Sequence, residues 1–486
     1  MESSYRKSAL DTVVIGFSTF IVFLVSLVQL PLLTKTLGAH AYGIWVQVQA
    51  TVGLILPFAG LGLTFAMIRF LAAEKNREEI QEGFYSVVSV LSLVSLTVAL
   101  AVIIFARPIA MNFFDGAVQI VRITGVLIFV DSVIPAYLNL IRTFQQIKRY
   151  SLFMIAENCA RIGVIAFLVL SGYGIFSVVL ALLAIKVAIL SILFFLIKAQ
   201  VGIKRPHFSR IRKYFSFGLP TVPRSIGFGL VYLSDRYVIS FLLGVTSVGV
   251  YSAAYGIGSL PYAIMSVLTF VLLATLSQLY DEGRMDEVKT YLSYSLKYLL
   301  AIVIPFVFGA AILAEPVLRM FTTQEIASQG YLVVPLVALG FLLLGVHGII
   351  SHILILTRKT KILGSVWIIS AAINLGLNLL LVPLMGIIAA AITSLIAFSL
   401  ALGVVSYYSF KEFKFTIHWR FIIKSLIASV IMSLVVWLMA PQGYLDTILA
   451  VVVGVVVYGV VLLLLKGFDR DEIRFFWGLF RRRALR

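Results

Sequence analysis

Among the ionisable side chains inside long apolar runs of the sequence, seven are candidates to bind ions or carry protons. They are Asp131, Glu157, Arg161, Lys186, Arg224, Asp235 and Arg236. If these runs cross a lipid bilayer, a charge at that depth is costly, so it is expected to pair, to face a wet cavity or to bind a ligand. We therefore take these seven residues as the candidate functional set.

The cations of this set suggest a site for an anion. Arg161 lies twelve residues beyond Arg149, which is about 18 Å along a helix, and Lys186 and Arg224 lie at comparable depths. Together with Arg236, they predict a positively charged cavity that receives an anionic substrate. Structural alternatives stay open, since Lys186 can snorkel towards the surface and the arginines can neutralise a neighbouring carboxylate.

The carboxylates are candidates for ion coupling or for pairing. Glu157 and Arg161 are four residues apart, so they share a helix face and can pair. Asp235 adjoins Arg236 and can form an interfacial pair with it. Asp131 is the candidate for proton uptake if transport is coupled to protons. Coupling to H⁺ or to Na⁺ stays open, and no other cofactor is expected.

Motifs for catalysis or metal binding are missing from the sequence. The five histidines never stand in the HExxH spacing of zinc hydrolases, and there is no phosphate-loop motif. The single cysteine, Cys159, excludes a disulfide within the chain and a thiolate metal cluster. We therefore expect neither an enzyme nor a metal site.

The elements that must position these residues are membrane-spanning helices. The chain is 61% hydrophobic and only 12% charged, about half the charge of a soluble globular protein. Its apolar runs are about 20 residues long, the length that crosses a bilayer core as a helix. The prediction is an all-α integral membrane protein with about fourteen spans, at 12–34, 43–68, 84–106, 118–141, 150–171, 175–197, 214–243, 248–276, 291–314, 330–356, 362–383, 387–409, 420–440 and 444–466.

Lysine and arginine concentrate on one side of these spans. The chain has 39 of them against 21 acidic residues, a net charge of +18. With the N-terminus in the cytoplasm, most of them fall in cytoplasmic connections, as the positive-inside rule requires. We expect a multi-pass protein of the cell membrane with both termini cytoplasmic. The tail, which ends in RRRALR, is expected to bind anionic membrane lipids and not nucleic acid.

An internal repeat organises the spans into two halves. Leu37-Gly38, with Gly43 and Trp45, matches Leu243-Gly244, with Gly249 and Tyr251, at an offset of 206, and residues 150–174 match 362–386 at an offset of 212. Spans one to six thus correspond to spans seven to twelve in the same orientation. Parallel repeats of this kind enclose a midplane cleft and work by alternating access. The predicted parts are an N-lobe at 1–200, a C-lobe at 201–410, and two further spans with a basic tail at 411–486.

The order of the motifs resembles a known family. The sequence is similar to polysaccharide flippases, of the O-antigen or teichoic-acid type, in the multidrug/oligosaccharidyl-lipid/polysaccharide exporter superfamily. The residues that carry the resemblance are Leu37-Gly38, Tyr42-Gly43, Asp235-Arg236, Leu243-Gly244, Gly249-Val250-Tyr251, Ala254-Tyr255, Asn374, Asn378, Pro383, Gly386 and Ala389 to Ala391.

The resemblance implies a fold, a cargo and partners. The fold would be that of multidrug and toxin extruders, with a V-shaped cavity between two six-helix lobes. The cargo would be a polyprenyl-phosphate- or pyrophosphate-linked oligosaccharide, moved from the cytoplasmic to the outer leaflet. A monomer that works among membrane lipids, beside a glycan polymerase or glycosyltransferases, would be expected.

Three alternatives stay open. A cation-coupled multidrug exporter of the same superfamily usually has twelve spans and an acidic site. A lipid II flippase carries several cations on its first span, whereas this chain has none between Asp11 and Lys35. A membrane glycosyltransferase would need a catalytic acid on a long loop, and the predicted loops are short.

Overall fold

The computed structural model describes residues 2–71, 74, 76–208, 211–469 and 472, and in this part the regular structure is helical throughout, without strands. The helices are α1 (Glu2–Gly60), α2 (Leu63–Leu71), α3 (Arg77–Ile104), α4 (Ala106–Phe113), α5 (Val118–Thr143), α6 (Ile147–Leu170), α7 (Ile175–Val201), α8 (Ile211–Gly218), α9 (Val222–Leu243), α10 (Val245–Gly258), α11 (Pro261–Asp281), α12 (Met285–Phe321), α13 (Gln324–Gly330), α14 (Val333–Leu356), α15 (Thr360–Met385), α16 (Ile387–Glu412), α17 (Trp419–Met439) and α18 (Tyr444–Leu464).

Twelve helical segments of the described chain are long and apolar enough to cross a membrane, which confirms the all-α, multi-pass prediction. The predicted count of fourteen differs at two places. The first two predicted spans fall within α1, whose backbone leaves the helical conformation at Gly38 (φ 79°, ψ −180°) inside the predicted connection 35–42, and one long segment of it, Leu27–Gly60, is counted once among the twelve. The predicted span 248–276 is divided into α10 and α11 just before Pro261, which cannot donate the backbone bond that would continue a helix. The exact count of fourteen stays a prediction.

The repeat appears in the backbone as two matching glycine turns. Gly38 has φ +79° and Gly244 has φ +85°, a region that glycine enters without steric cost. A Cβ on Gly43 would overlap the carbonyl oxygen of Val245, and a Cβ on Gly249 would overlap that of Ala39. Since Gly43 and Gly249, like Ala39 and Val245, are 206 residues apart, the contact is reciprocal between the two copies of the motif.

Internal contacts divide the chain into two compact units. The first comprises Met1–Ala253, Phe321–Ile326 and Thr360–Ala397. In the described part of this unit the apolar core includes one cluster around Phe84, Tyr137 and Leu193 and another around Trp45 and Phe114. Helices α5 and α7 contribute to both clusters, so the stretch of each helix between them can hold polar side chains.

The second unit comprises Ala254–Met320, Ala327–Lys359 and Phe398–Arg486. In it α17 and α18 pack together with Leu313 of α12 around Met432 and Tyr458, and the Tyr458 hydroxyl donates to the carbonyl of Ala301 at 2.9 Å. Lys297 of α12 is buried and donates to both carboxylate oxygens of Glu472 at 2.7 Å. The predicted lobes at 1–200 and 201–410, with the additional segment 411–486, stay a prediction.

Candidate substrate and ion-coupling sites

Three of the predicted residues meet in one cluster on α5, α6 and α7. The ammonium nitrogen of Lys186 lies 2.7 Å from Oδ1 of Asp131 and 2.5 Å from Oε1 of Glu157. The three side chains are only 16%, 16% and 14% exposed, in the order Lys186, Asp131 and Glu157. One cation on α7 therefore ties together carboxylates from two neighbouring helices.

The sequence places this cluster between the two apolar clusters of the first unit. On α5, Asp131 lies between Ile128 of one cluster and Val133 of the other. On α7, Lys186 lies between Leu182 and Ile189 in the same way. The apolar residues on both sides fix the helices, so the charged side chains are held at one level.

Arg161 lies one helical turn beyond Glu157 on α6, but it bonds elsewhere. Its Nη2 donates to Oδ1 of Asn158 at 2.6 Å, and its Nε is buried without a hydrogen-bond acceptor in the described chain. With Asp131, Glu157 and Lys186 ionised, Arg161 brings the local charge to zero. Its unused donor makes it the cation of this region that is most ready to bind a further anion.

Arg224 stands apart from this cluster. It is exposed at the start of α9, directly after a 3₁₀ turn at Leu219–Thr221 that interrupts the segment from Ile211 to Leu243. Pro220 and Pro223 cause the interruption, because neither can donate a helical hydrogen bond. Within the described residues Arg224 has no ion-pair partner, and it bonds neither to Lys186 nor to Arg161.

Arg236 is buried, with 5% of its surface exposed. Its Nη1 donates to the carbonyl of Tyr232 at 2.5 Å, and its guanidinium carbon lies 5.3 Å from the centre of the Tyr251 ring. A guanidinium over an aromatic face gains a cation–π attraction. In this conformation Arg236 therefore contributes to helix packing.

Asp235 lies at the centre of a second polar cluster, formed by α9, α10, α15 and α16. It is fully buried and accepts hydrogen bonds from the Tyr251 hydroxyl at 2.7 Å, the Ser394 hydroxyl at 2.8 Å and Nδ2 of Asn378 at 2.9 Å. Three donors around one carboxylate offset part of the cost of burying its charge.

Further oxygen-bearing side chains surround this carboxylate. Asn378 also donates to Oδ1 of Asn374 at 3.2 Å and accepts from the Thr393 hydroxyl at 2.8 Å. Tyr251, Thr393 and Ser394 were not predicted as site residues, and the two asparagines entered only through the family resemblance. The available signal was the pair of asparagines four residues apart in an apolar helix, because a buried amide needs partners.

Both clusters are made of hard oxygen and nitrogen groups. Nowhere in the described part of the chain do three or more His, Cys, Asp or Glu residues come together as they would around a metal ion. The Asp235 cluster offers carboxylate, amide and hydroxyl oxygens, which suit a proton or a hard monovalent cation. Lys186 and the neighbouring Arg161 instead offer two cations that an anion could bind.

Comparison with known families identifies the class of protein. The family model "Polysaccharide biosynthesis protein" matches residues 8–280, and the model "MatE" matches residues 220–380. Because the first match covers more than half of the sequence, the chain belongs to the polysaccharide biosynthesis protein family. The predicted resemblance is thereby confirmed.

Individual relatives carry transport names. The chain is 23% identical over 437 residues to the "Probable low-salt glycan biosynthesis flippase Agl15" of Haloferax volcanii, covering 88% of this chain and 90% of the relative. It is 26% identical over 306 residues to the "Succinoglycan biosynthesis transport protein ExoT" of Rhizobium meliloti, covering 61% of this chain and 59% of the relative. These names agree with the prediction of a transporter and not an enzyme.

A solved structure shares the fold. "Lipid II flippase MurJ, inward closed conformation" superposes with a TM-score of 0.78 at 20% identity, covering 96% of this chain and 100% of that chain. At this identity the likeness shows the fold alone. "Inward-facing conformation of a multidrug resistance MATE family transporter of the MOP superfamily" superposes with a TM-score of 0.65 at 16% identity, covering 81% of this chain and 94% of that chain. The two structures together confirm the predicted extruder-type helical architecture.

Proposed function

We propose that this protein is a flippase that moves a polyprenyl-phosphate- or pyrophosphate-linked oligosaccharide from the cytoplasmic to the outer leaflet by alternating access. The family, the names of its relatives and the multi-pass fold support a lipid-linked glycan as cargo. The head of such a cargo carries an anionic phosphate group and a polar glycan, and both must pass the apolar core of the membrane.

The observation that carries the proposal is the pair of cations deep in α6 and α7. Lys186 is eleven residues from the start of α7 at Ile175, or about 16 Å along the helix. Arg161 is nine residues before the end of α6 at Leu170, or about 14 Å. Cations this far from a helix end cannot easily reach the interface, so an anion that crosses the membrane is the natural ligand.

The ion pairs of Lys186 suggest how an anion is taken up and released. A phosphate group that enters beside Lys186 competes with Asp131 and Glu157 for the same ammonium group. The free Nε of Arg161 supplies a further donor, in the forked geometry that matches phosphate oxygens. When the phosphate leaves, Asp131 and Glu157 form their ion pairs with Lys186 again. This competition keeps the cargo from binding too tightly.

Energy coupling is assigned to the Asp235 cluster. The oxygens of Asp235, Asn378, Thr393 and Ser394 would hold a proton or a Na⁺ ion, and such an ion would neutralise the buried carboxylate. Asp131 stays the second candidate for proton uptake, since it loses its partner whenever Lys186 turns to a phosphate. The choice between H⁺ and Na⁺ is open.

The same proposal includes the location, the topology and the partners of the protein. The protein works as a monomer in the cell membrane, with both termini in the cytoplasm. It receives its cargo from glycosyltransferases and delivers it to a glycan polymerase. Membrane lipids contact its apolar surface, and the basic tail binds anionic headgroups.

Translocation by reconstituted variants tests the cationic site. Arg161→Ala and Arg224→Ala should each slow the transfer of a fluorescent polyprenyl-diphosphate oligosaccharide across vesicle membranes by at least about tenfold, because each removes a guanidinium that we propose as a donor to the phosphate of the cargo. Arg122→Ala, at an exposed position near the start of α5, is the matched control and should keep normal transfer. Full activity in both test variants would refute the cationic site.

A multidrug exporter is the second candidate, and the match to the MatE model over residues 220–380 favours it. Such a protein would bind organic cations at a carboxylate such as Asp235. In the same vesicles it would move a cationic dye and leave the lipid-linked oligosaccharide in place.

A further inference from the structure

A groove lies between the start of α6 and the end of α7. It encloses about 500 Å³ and is lined by Arg149, Leu152, Phe153, Leu196, Ala199 and Gln200. Phe153 and Leu196 form its floor, where they pack on the core of the first unit. Leu152 is 65% exposed, so one wall of the groove faces the surrounding lipid.

The two ends of the groove differ in chemistry. Four apolar side chains line the part that runs along the helices, while Arg149 stands in the first turn of α6 and Gln200 in the last turn of α7. Both polar residues therefore lie at the level where helices leave the membrane and lipid headgroups begin. Apolar walls below a polar rim match the division of a lipid into tail and head.

Arg149 is placed to bind a phosphate group. Its side chain is exposed, and among the described residues it bonds to a neutral partner, since Nη1 donates to Oε1 of Gln146 at 3.0 Å. Gln146 precedes α6 and makes no side-chain cap to its first turn. The guanidinium and the start of the helix thus offer positive charge on the same side of the groove.

The negative end of α7, which would repel an anion, is already neutralised. Arg77 donates to the carbonyl of Gln200 at 2.8 Å, Gln81 donates to that of Val201, and the Tyr85 hydroxyl donates to that of Gly202 at 2.6 Å. The three donors stand four residues apart on α3, so they occupy the last carbonyls of α7 in turn. They also hold the groove open by fixing this helix end.

Gln200 supplies the second polar contact. Its side-chain oxygen Oε1 is buried and accepts no hydrogen bond from the described residues. A buried acceptor without a donor is costly. A ligand that fills the groove and brings a hydroxyl or ammonium group to this oxygen would remove that cost.

We propose that this groove binds one glycerophospholipid of the surrounding membrane, with its phosphate on Arg149, a headgroup hydroxyl or ammonium on Gln200, and an acyl chain along Leu152, Phe153 and Leu196. Phosphatidylglycerol and phosphatidylethanolamine have the required donor. Phosphatidylcholine has the phosphate without the donor. The site is independent of the cargo, because it is defined by a lipid that is not transported.

Native mass spectrometry of the purified full-length protein tests the proposal, with phosphatidylglycerol and phosphatidylcholine titrated separately. The first lipid-binding step should be tighter for phosphatidylglycerol than for phosphatidylcholine. Arg149→Ala should weaken the binding of phosphatidylglycerol by about tenfold. Gln200→Leu should abolish the preference for phosphatidylglycerol over phosphatidylcholine. Ala199→Trp, which fills the groove, should prevent both lipids from binding there.

Lys148→Ala is the matched control, since this exposed neighbour of Arg149 does not line the groove; it should change binding by less than about twofold. If lipid binding is weakened equally in the Lys148 and Arg149 variants, the proposal is overturned, because the lipid would then respond only to the general positive charge of this surface. Undiminished binding in Ala199→Trp would overturn it too. So would polyprenyl phosphate that binds the groove about tenfold more tightly than phosphatidylglycerol, because the groove would then belong to the cargo. Thermal unfolding of each variant confirms that it is folded.

Discussion

At the scale of residues, the central feature is one lysine shared by two carboxylates. Lys186 lies within 2.7 Å of Asp131 and 2.5 Å of Glu157. Charges removed from water are stable only while their partners are present, and removing one partner of a buried pair typically costs about 3–5 kcal/mol. The cluster therefore stabilises the helices and, in the proposed mechanism, must open whenever cargo passes.

Removal of Lys186 alone should be more harmful than removal of the whole cluster. Lys186→Met leaves two carboxylates facing each other, and we expect a loss of about 3–5 kcal/mol in the free energy of unfolding. The triple variant Asp131→Asn, Glu157→Gln, Lys186→Met removes the facing carboxylates together with the lysine, leaves only the charge of Arg161, and should recover part of that stability. Thermal unfolding in detergent measures both effects.

Transport separates the structural role of this cluster from its functional role. The triple variant should be more stable than Lys186→Met and yet move the lipid-linked oligosaccharide at least about tenfold more slowly than the natural protein, since one of the two cations proposed for the phosphate is gone. A triple variant with normal transport would assign the cluster to structure alone.

Asp235 should matter for coupling more than for folding. Asp235→Asn keeps the shape of the side chain and its contacts to Ser394 and Tyr251, so the protein should fold. Its transport should lose most of its response to an imposed H⁺ or Na⁺ gradient, because no charge remains for an ion to neutralise. Asp115→Asn changes an exposed carboxylate and should leave the response to the gradient intact.

The sequence predicts which residues are candidates for a functional site, but it predicts their contacts less well. Depth in an apolar run identifies Asp131, Glu157 and Lys186 one by one, and helical spacing suggests the pair of Glu157 with Arg161. In the structure Glu157 contacts Lys186 on the next helix. Contacts between helices depend on how the helices pack and rotate, and a sequence period within one helix carries no information about that.

At the scale of elements, the reciprocal glycine contact joins the two copies of the repeat. Gly249 of α10 lies against the backbone of Ala39, and Gly43 of α1 lies against that of Val245. Only residues without a side chain allow backbones this close, as at the small-residue interfaces of other membrane helices. The motif that reveals the repeat in the sequence is therefore also a packing device.

Two alanine substitutions in α10 should have opposite effects. In Gly249→Ala the new methyl group meets the carbonyl of Ala39, and we expect the free energy of unfolding to fall by about 1–3 kcal/mol. In Gly256→Ala the new methyl group meets nothing within 4 Å, so the better helix propensity of alanine should leave stability unchanged or raise it by up to about 1 kcal/mol. Thermal unfolding compares them, and equal destabilisation of both variants would contradict the account of this contact.

The limits of sequence prediction at this scale have identifiable causes. The apolar runs predict where the chain crosses the membrane, because hydropathy and length decide that. They predict the connection in which α1 leaves the helical conformation at Gly38, but not that the segment 248–276 breaks before Pro261. Glycine and proline permit either a bend or a break, and packing decides between the two.

At the scale of the whole molecule, composition alone predicts the class of protein. A chain that is 61% hydrophobic with a net charge of +18 and apolar runs throughout is a multi-pass membrane protein. The order of the motifs adds the family, which the match over residues 8–280 confirms. The choice of glycan depends on polar contacts between side chains and sugar groups, and such contacts leave no periodic trace in a sequence.

Transport of two cargoes by the natural protein is the most direct test of the central claim. Vesicles that contain the purified protein are loaded in parallel with a fluorescent polyprenyl-diphosphate oligosaccharide and with a fluorescent organic cation, and the transfer of each across the membrane is followed. The account predicts rapid transfer of the lipid-linked oligosaccharide and no protein-dependent movement of the cation. Transfer of the cation, with the lipid-linked oligosaccharide left in its original leaflet, would contradict it.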